Sequence, residues 1–227
     1  SKTDGVEYIL SGITTNGTFK LYSDYKFKLT LDGVDITHAD GPAINIQSGK
    51  RAYVVLADGT TNRLTDGSSY SSSGNEDMKA CFFSEGQLVF SGKGSLAVVA
   101  NYKHGICSDD YVRVRDGAVI TVTRAVKDGI HTNDHVRIDG GTINITASSD
   151  GIECEKGCIV IYGGQITIHS VDDGIVASYE ENSNTINPFI RVDGGEITVT
   201  TTGDKGMAIK SERNTVINGG TLNLSAS

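Results

Sequence analysis

A Gly-Ile pair returns four times at nearly constant distance: Gly105-Ile106, Gly129-Ile130, Gly151-Ile152 and Gly174-Ile175, spaced 24, 22 and 23 residues apart. A period in the low twenties is that of a solenoid, in which one short unit stacks on the next. After each pair comes an alternating run: Val112-Arg113-Val114, Val136-Arg137-Ile138, Ile159-Val160-Ile161 and Ile190-Arg191-Val192. A glycine turn follows, at Asp116-Gly117, Gly140-Gly141, Gly163-Gly164, Gly194-Gly195 and Gly219-Gly220. A second alternating run comes next, among them Ile143-Asn144-Ile145, Ile166-Thr167-Ile168, Ile197-Thr198-Val199 and Leu222-Asn223-Leu224.

Alternation with period two turns Ile, Val and Leu to one face and Thr, Asn and Arg to the other. The runs are too short for helices and rich in β-branched residues, which suits strands. Short strands at constant period cannot all close as hairpins, and a parallel pair needs a longer connection. The chain must wind, each strand pairing with its equivalent one coil later. The fold class expected is therefore all-β, a right-handed parallel β-helix of roughly eight three-strand coils, with residues 1–227 as a single domain. At about 4.8 Å per coil the stack is on the order of 40 Å long. Tyr8 to Leu10, Phe19 to Leu21 and Lys28 to Ile36 supply the first one or two coils, and the double glycines mark a corner where a Cβ would not fit.

Two polar insertions break the period, one through Gly67 to Asn75 and one from Tyr179 to Pro188. Insertions in a solenoid become loops on one face, either bordering a binding surface or simply tolerated there. The formal net charge of -8 argues against nucleic acid and anionic membranes as partners. No segment is apolar and long enough to span a bilayer as a helix. The chain begins at Ser1, so a signal or anchor segment is expected to have preceded it, and an extracellular or cell-surface location follows as an expectation. Cys154 and Cys158 flank a three-residue turn and could close a small disulfide; otherwise the four cysteines are free thiols.

Stacking converts equivalent positions into ladders. The residue before the repeat glycine reads His104, Asp128, Asp150, Asp173 and then Lys205; the one before that reads Lys103, Lys127, Ser149, Asp172 and Asp204. Carboxylates about 4.8 Å apart repel, by roughly 1 kcal/mol in water and several-fold more near a protein surface. Three compensations are open: a shared Ca²⁺ with oxygen ligands, ion pairing with His104 and Lys205 at the two ends, or exposed Asp-Gly turn chemistry. A second ladder, Asn45, Phe83, Cys107, His131, Glu153 and Val176, faces outward from the first strand, with His131 beside Glu153 either a binding stripe or ordinary surface. A third stripe is basic, Arg113, Arg137 and Arg191 with Val160 interrupting, and arginine is suited to bidentate contact with sugar carboxylates. Hydrolase, nucleotide-binding and metalloprotease motifs are missing; a lyase would need a base, and Lys127, Lys205 and Lys210 are the candidates nearest the aspartates.

The run Asp128-Gly129-Ile130 through Val136-Arg137-Ile138-Asp139-Gly140-Gly141-Thr142-Ile143-Asn144-Ile145 resembles the bacterial carbohydrate-binding β-helix family related to pectate lyases. So do Asp204-Lys205-Gly206 followed by Gly219-Gly220, and Gly59 to Gly67 near the front; the resemblance covers about Phe27 to Leu224. It implies an exported binder of plant polysaccharide, cellulose or acidic sugars, with calcium on the helix. The family's turn aspartates fall on Asp128, Asp150, Asp173 and Asp204, to which Asp172 is added from its place in the cluster; His104 stands where the pattern takes Asp. Lys127, His131, Arg113, Arg137 and Lys205 are the side chains expected to meet the sugar. The absence of Trp favours a charged sugar over crystalline cellulose. A uronan lyase and an adhesive surface stalk are the competing functions, and the enzyme question stays open, leaning against catalysis.

Overall fold

A computed structural model describes residues 1–72, 74–179 and 185–227. Ser73 and residues 180–184, which belong to the two insertions, lie outside the described residues.

The repeat folds as its periodicity dictates. Each coil contributes a strand to three faces, and every strand pairing is parallel and joins equivalent positions of successive coils. The first face holds eight short strands, among them His104–Ser108, Ile130–Thr132, Ile152–Cys154 and Ile175–Ala177. The second includes Tyr111–Val114, His135–Ile138, Cys158–Ile161 and Phe189–Val192; the third includes Val119–Ala125, Thr142–Ala147, Gln165–Ser170 and Glu196–Thr201. At the N-terminal end one long strand, Phe27–Thr37, runs through the second and third faces together, and Glu7–Thr14 pairs along it.

The helix has about nine turns where roughly eight were expected. The difference lies in the strand Glu7–Thr14, which makes a coil of its own although its sequence lacks the double-glycine signature.

Inward residues form columns. Val112, Val136, Ile159 and Ile190 stack in register, as do Ile106, Ile130, Ile152 and Ile175, and all are fully buried. Removing each from water is worth about 1.5–3 kcal/mol. Gly117, Gly141, Gly164, Gly195 and Gly220 occupy one corner with φ between 86° and 103°. There the amides of Gln165, Glu196 and Thr221 donate to the carbonyls of Gly141, Gly164 and Gly195 one coil before. A Cβ on Gly164 would lie 2.8 Å from the Gly141 carbonyl oxygen, so close stacking and positive φ both demand glycine.

The four cysteines are free. Cys154 is buried on the first face, whereas Cys158 lies in the outward row between His135 and Phe189 on the second, so the turn between them separates the thiols.

Candidate functional site

The ladder before the repeat glycine forms as read as far as Asp173. The amides of Gly105, Gly129 and Gly151 donate to the carbonyls of Asp128, Asp150 and Asp173, which places His104, Asp128, Asp150 and Asp173 on consecutive coils. The next position is not Lys205. Gly174 donates to Met207, and Ile175 pairs with Ile209. The turn from Gly203 to Gly206, closed by a hydrogen bond from the Gly206 amide to the Gly203 carbonyl, bulges Asp204 and Lys205 out of the column, and both are exposed. Lys103, Lys127, Ser149 and Asp172 stack as read, linked amide to carbonyl.

Local backbone geometry gives the aspartates a task visible only in three dimensions. Asp128 Oδ1 accepts the amide of Asp150 at 3.1 Å, Asp150 Oδ1 that of Asp173 at 2.7 Å, and Asp173 Oδ1 that of Met207 at 2.8 Å. Each carboxylate thus satisfies the amide of the coil ahead with one oxygen and turns the other to further partners. Asp128 Oδ2 lies 2.8 Å from His104 Nδ1 and 3.0 Å from His131 Nδ1. Asp173 Oδ2 pairs with Lys210 Nζ at 2.7 Å. The two ends of the ladder are therefore compensated, by His131 beside His104 at Asp128 and by Lys210, not Lys205, at Asp173. Asp150, in the middle, has no cation in contact among the described residues.

The outward ladder also holds its register: Asn45, Phe83, Cys107, His131, Glu153 and Val176 pair in sequence. Its first members are covered. Glu76 binds Asn45 and Lys20, Gln47 donates to the Asp77 carbonyl, and Lys103 donates to the Met78 carbonyl, so the chain leaving the first insertion lies over that part of the face. Where this cover ends, a cleft of about 460 Å³ opens, walled by His104, Asp128, His131, Asp150 and Glu153 and rimmed by Lys79, Lys103 and Lys127.

Charge in the cleft is unevenly matched. Burial pushes the Asp128 carboxyl up, but hydrogen bonds from His104 and His131 outweigh it and hold the group well below the usual carboxylate range. Burial lowers His131, yet Asp128 and Glu153 raise it to about 9, so it stays an imidazolium, with Nδ1 also 2.9 Å from Glu153 Oε2. Burial lowers His104, against the Asp128 carboxylate, which raises it. Asp150 is pushed up to about 7, by burial first and by the Asp128 charge second. It is the uncompensated carboxylate of the cluster. Asp150, Asp172 and Asp173 can bring oxygens within 4.8 Å of one another, as can Asp128, Asp150 and Glu153.

The arginine stripe is in register but lies on the second face, away from the cleft. Arg113 and Arg137 both bind Asp139, each through Nε at 2.6 Å, and Arg191 pairs with Asp193 at 3.1 Å. Arg137 also packs over the Tyr162 ring, 4.6 Å from its centroid. The residues expected to meet sugar therefore separate into three places: Lys127 and His131 in the cleft, Arg113 and Arg137 on the adjacent flank, and Lys205 on the bulged turn. Sequence reasoning missed Lys79 and Glu155 as cleft residues and Lys210 as the ladder's terminal cation. The available signal for Lys210 was register, since it follows Val176 on the next coil.

A family described as carbohydrate-binding domain-containing protein matches residues 2–227. A protein of that description from Acetivibrio thermocellus is 33% identical over 116 residues, which is 49% of this chain and 41% of the relative. The chain thus aligns with less than half the length of that relative. Among solved structures, the polysaccharide lyase-like protein from C. thermocellum, determined as a gadolinium derivative, superposes with a TM-score of 0.83 at 31% identity, covering 96% of this chain and 87% of that one.

Proposed function

The chain belongs to the carbohydrate-binding domain-containing family, and from that premise we propose that it holds an acidic polysaccharide over the cleft, through lysines at the rim and Ca²⁺ on the aspartate ladder. The observation that carries this reading is Asp150. Its carboxylate is half-buried between Asp128 and Asp173, accepts one amide, and meets no cation among the described residues. A hard cation sharing Asp150, Asp172 and Asp173 would remove the repulsion, with remaining ligands from turn carbonyls and from uronate carboxylates of the sugar. Asp128 is less available, because its second oxygen already faces two imidazoles, and Asp204 stands outside the column.

Lys103 and Lys127 lie one coil apart at the rim, positioned to meet the negative charges of a uronan laid along the stack. The site is shallow and open, which suits a long ligand crossing several coils. An extracellular or cell-surface setting belongs to this reading, because modest calcium affinity is enough for extracellular modules.

The test is binding of polygalacturonate to the full chain by calorimetry, with calcium and with chelator. Binding should need calcium and weaken by about tenfold or more in Asp150→Asn, each tenfold being about 1.4 kcal/mol. Asp24→Asn, which only breaks an exposed pair with Lys2, serves as control. Chelation should also lower the melting temperature, with calcium restoring it, because a ligand of the folded form alone adds stability. Equal affinity with and without chelator, in wild type and Asp150→Asn alike, would remove the reading.

A further inference from the structure

The inner wall of the cleft carries donors of a different chemistry from the aspartates further along. His104 is 7% exposed, Asp128 3% and His131 6%. They come from two successive coils, and Glu153 joins them from a third. His104 Nδ1 and His131 Nδ1 lie 2.8 and 3.0 Å from the same oxygen, Asp128 Oδ2, and Glu153 Oε2 lies 2.9 Å from His131 Nδ1. We propose that His104, Asp128 and His131 form a binding site for one divalent transition ion of the Zn²⁺, Ni²⁺ and Cu²⁺ class, with Glu153 beside it. The site is independent of the calcium reading, whose donors are carboxylates alone.

Donor type selects the ion. Imidazole nitrogen suits Zn²⁺, Ni²⁺ and Cu²⁺, whereas Ca²⁺ takes oxygen ligands. Spacing agrees with it. At metal–ligand bonds of about 2.1 Å, donors about 3 Å apart subtend roughly a right angle at the ion, the tetragonal angle of Cu²⁺ and Ni²⁺, and a small side-chain shift opens it to the tetrahedral angle of Zn²⁺. His104, Asp128 and His131 can each offer one ligand atom with all three within 4.8 Å of one another. An ion seated there would take the place of the proton that now joins His131 to its carboxylates.

Preorganisation is the second argument. Asp128 is not a free rotor: its Oδ1 is tied to the Asp150 amide, which aims Oδ2 at both imidazoles. The far nitrogen of His131, Nε2, lies 3.5 Å from Glu155 Oε1, so an outer carboxylate stands near the ring. The imidazole rings pack 4.3 Å apart. Packing and backbone bonds therefore hold these side chains in place before any ion arrives. The same residues line the open cleft, which gives an ion a way in and leaves one side of it facing the cleft.

Zn²⁺ titrated into the full chain in excess calcium should bind with a stoichiometry of one. His131→Gln should weaken it by at least about tenfold, and Asp172→Asn should leave it unchanged. Paramagnetic resonance of the Cu²⁺ form of the wild-type chain should show coupling to two imidazole nitrogens, a readout that depends on no variant folding. Absence of Zn²⁺ binding, full affinity in a folded His131→Gln variant, displacement by calcium, or a Cu²⁺ spectrum without imidazole coupling would each overturn the proposal.

Discussion

Asp66 is 3% exposed and accepts hydrogen bonds from two neutral donors, the Asn101 amide and the Tyr70 hydroxyl. Burial raises its carboxyl to about 6, against the partial relief of those two hydrogen bonds. The folded state therefore holds this proton more tightly than the unfolded chain does. Its contribution to stability is complete below about pH 4, the unfolded value, and is lost as pH rises through 6. The shift corresponds to about 3 kcal/mol at most. Asn can keep both hydrogen-bonding contacts without the charge. Denaturant melts across pH 4 to 7 should show Asp66→Asn gaining on the wild type as pH rises; a constant difference would mean that Asp66 ionises freely. At the same scale, the arginine stripe was legible as a pattern but not as a surface. Its register could be counted, whereas its pairing with Asp139 and Asp193 requires knowing which side chains lean toward one another.

Among elements, the glycine corner is where sequence and structure agree most closely, because close backbone approach leaves no other residue type. Gly164→Ala combines φ of 103° with a Cβ 2.8 Å from a backbone oxygen that cannot move aside. It should cost about 2–3 kcal/mol. Gly49→Ala, with ordinary φ and nothing within 4 Å, should stay within about 0.5 kcal/mol. Chemical denaturation of the two variants decides this; equal effects would contradict the stacked corner. The strand columns were equally legible, since period-two alternation and a constant spacing fix both face and register. The aspartate ladder was legible as a column, but its hydrogen bonds to the next coil's amides were not, because they depend on turn backbone. The slip at Asp204-Lys205 had the same origin: a turn that accommodates three further residues leaves the flanking strands unaltered, so motif matching alone misplaces them.

For the molecule as a whole, a stack in which each coil touches only its neighbours has stability distributed along its length. The strand Asn214–Ile217 pairs on one side only and is exposed throughout, whereas Tyr111–Val114 pairs on both sides with its valines fully buried. Amide exchange in the 227-residue chain should be fast at 214–217 and slowest near 112–114; uniform protection would indicate one cooperative unit. Binding rather than elimination is expected of the cleft. Burial of Lys79, which would lower it, is outweighed by Asp109 and Asp77, which raise it, so this rim lysine is not free to take a proton. Incubation with polygalacturonate and calcium should therefore yield no ultraviolet absorbance from unsaturated uronides, and its appearance would establish a lyase.

The aspartate that accepts the next coil's amide also sets rules for how such a gene can change length. Every coil from Asp128 to Asp173 presents the same carboxylate acceptor upward to the amide of the next. Duplicating one whole repeat joins compatible ends, and deleting one does the same. Losing a single codon within a strand instead turns every later side chain in that strand to the wrong face. Descendants of this chain are thus expected to differ by complete coils, or by loops of arbitrary length confined to the turns, as at Asp204-Lys205. Length variation is quantised along the axis and continuous around it.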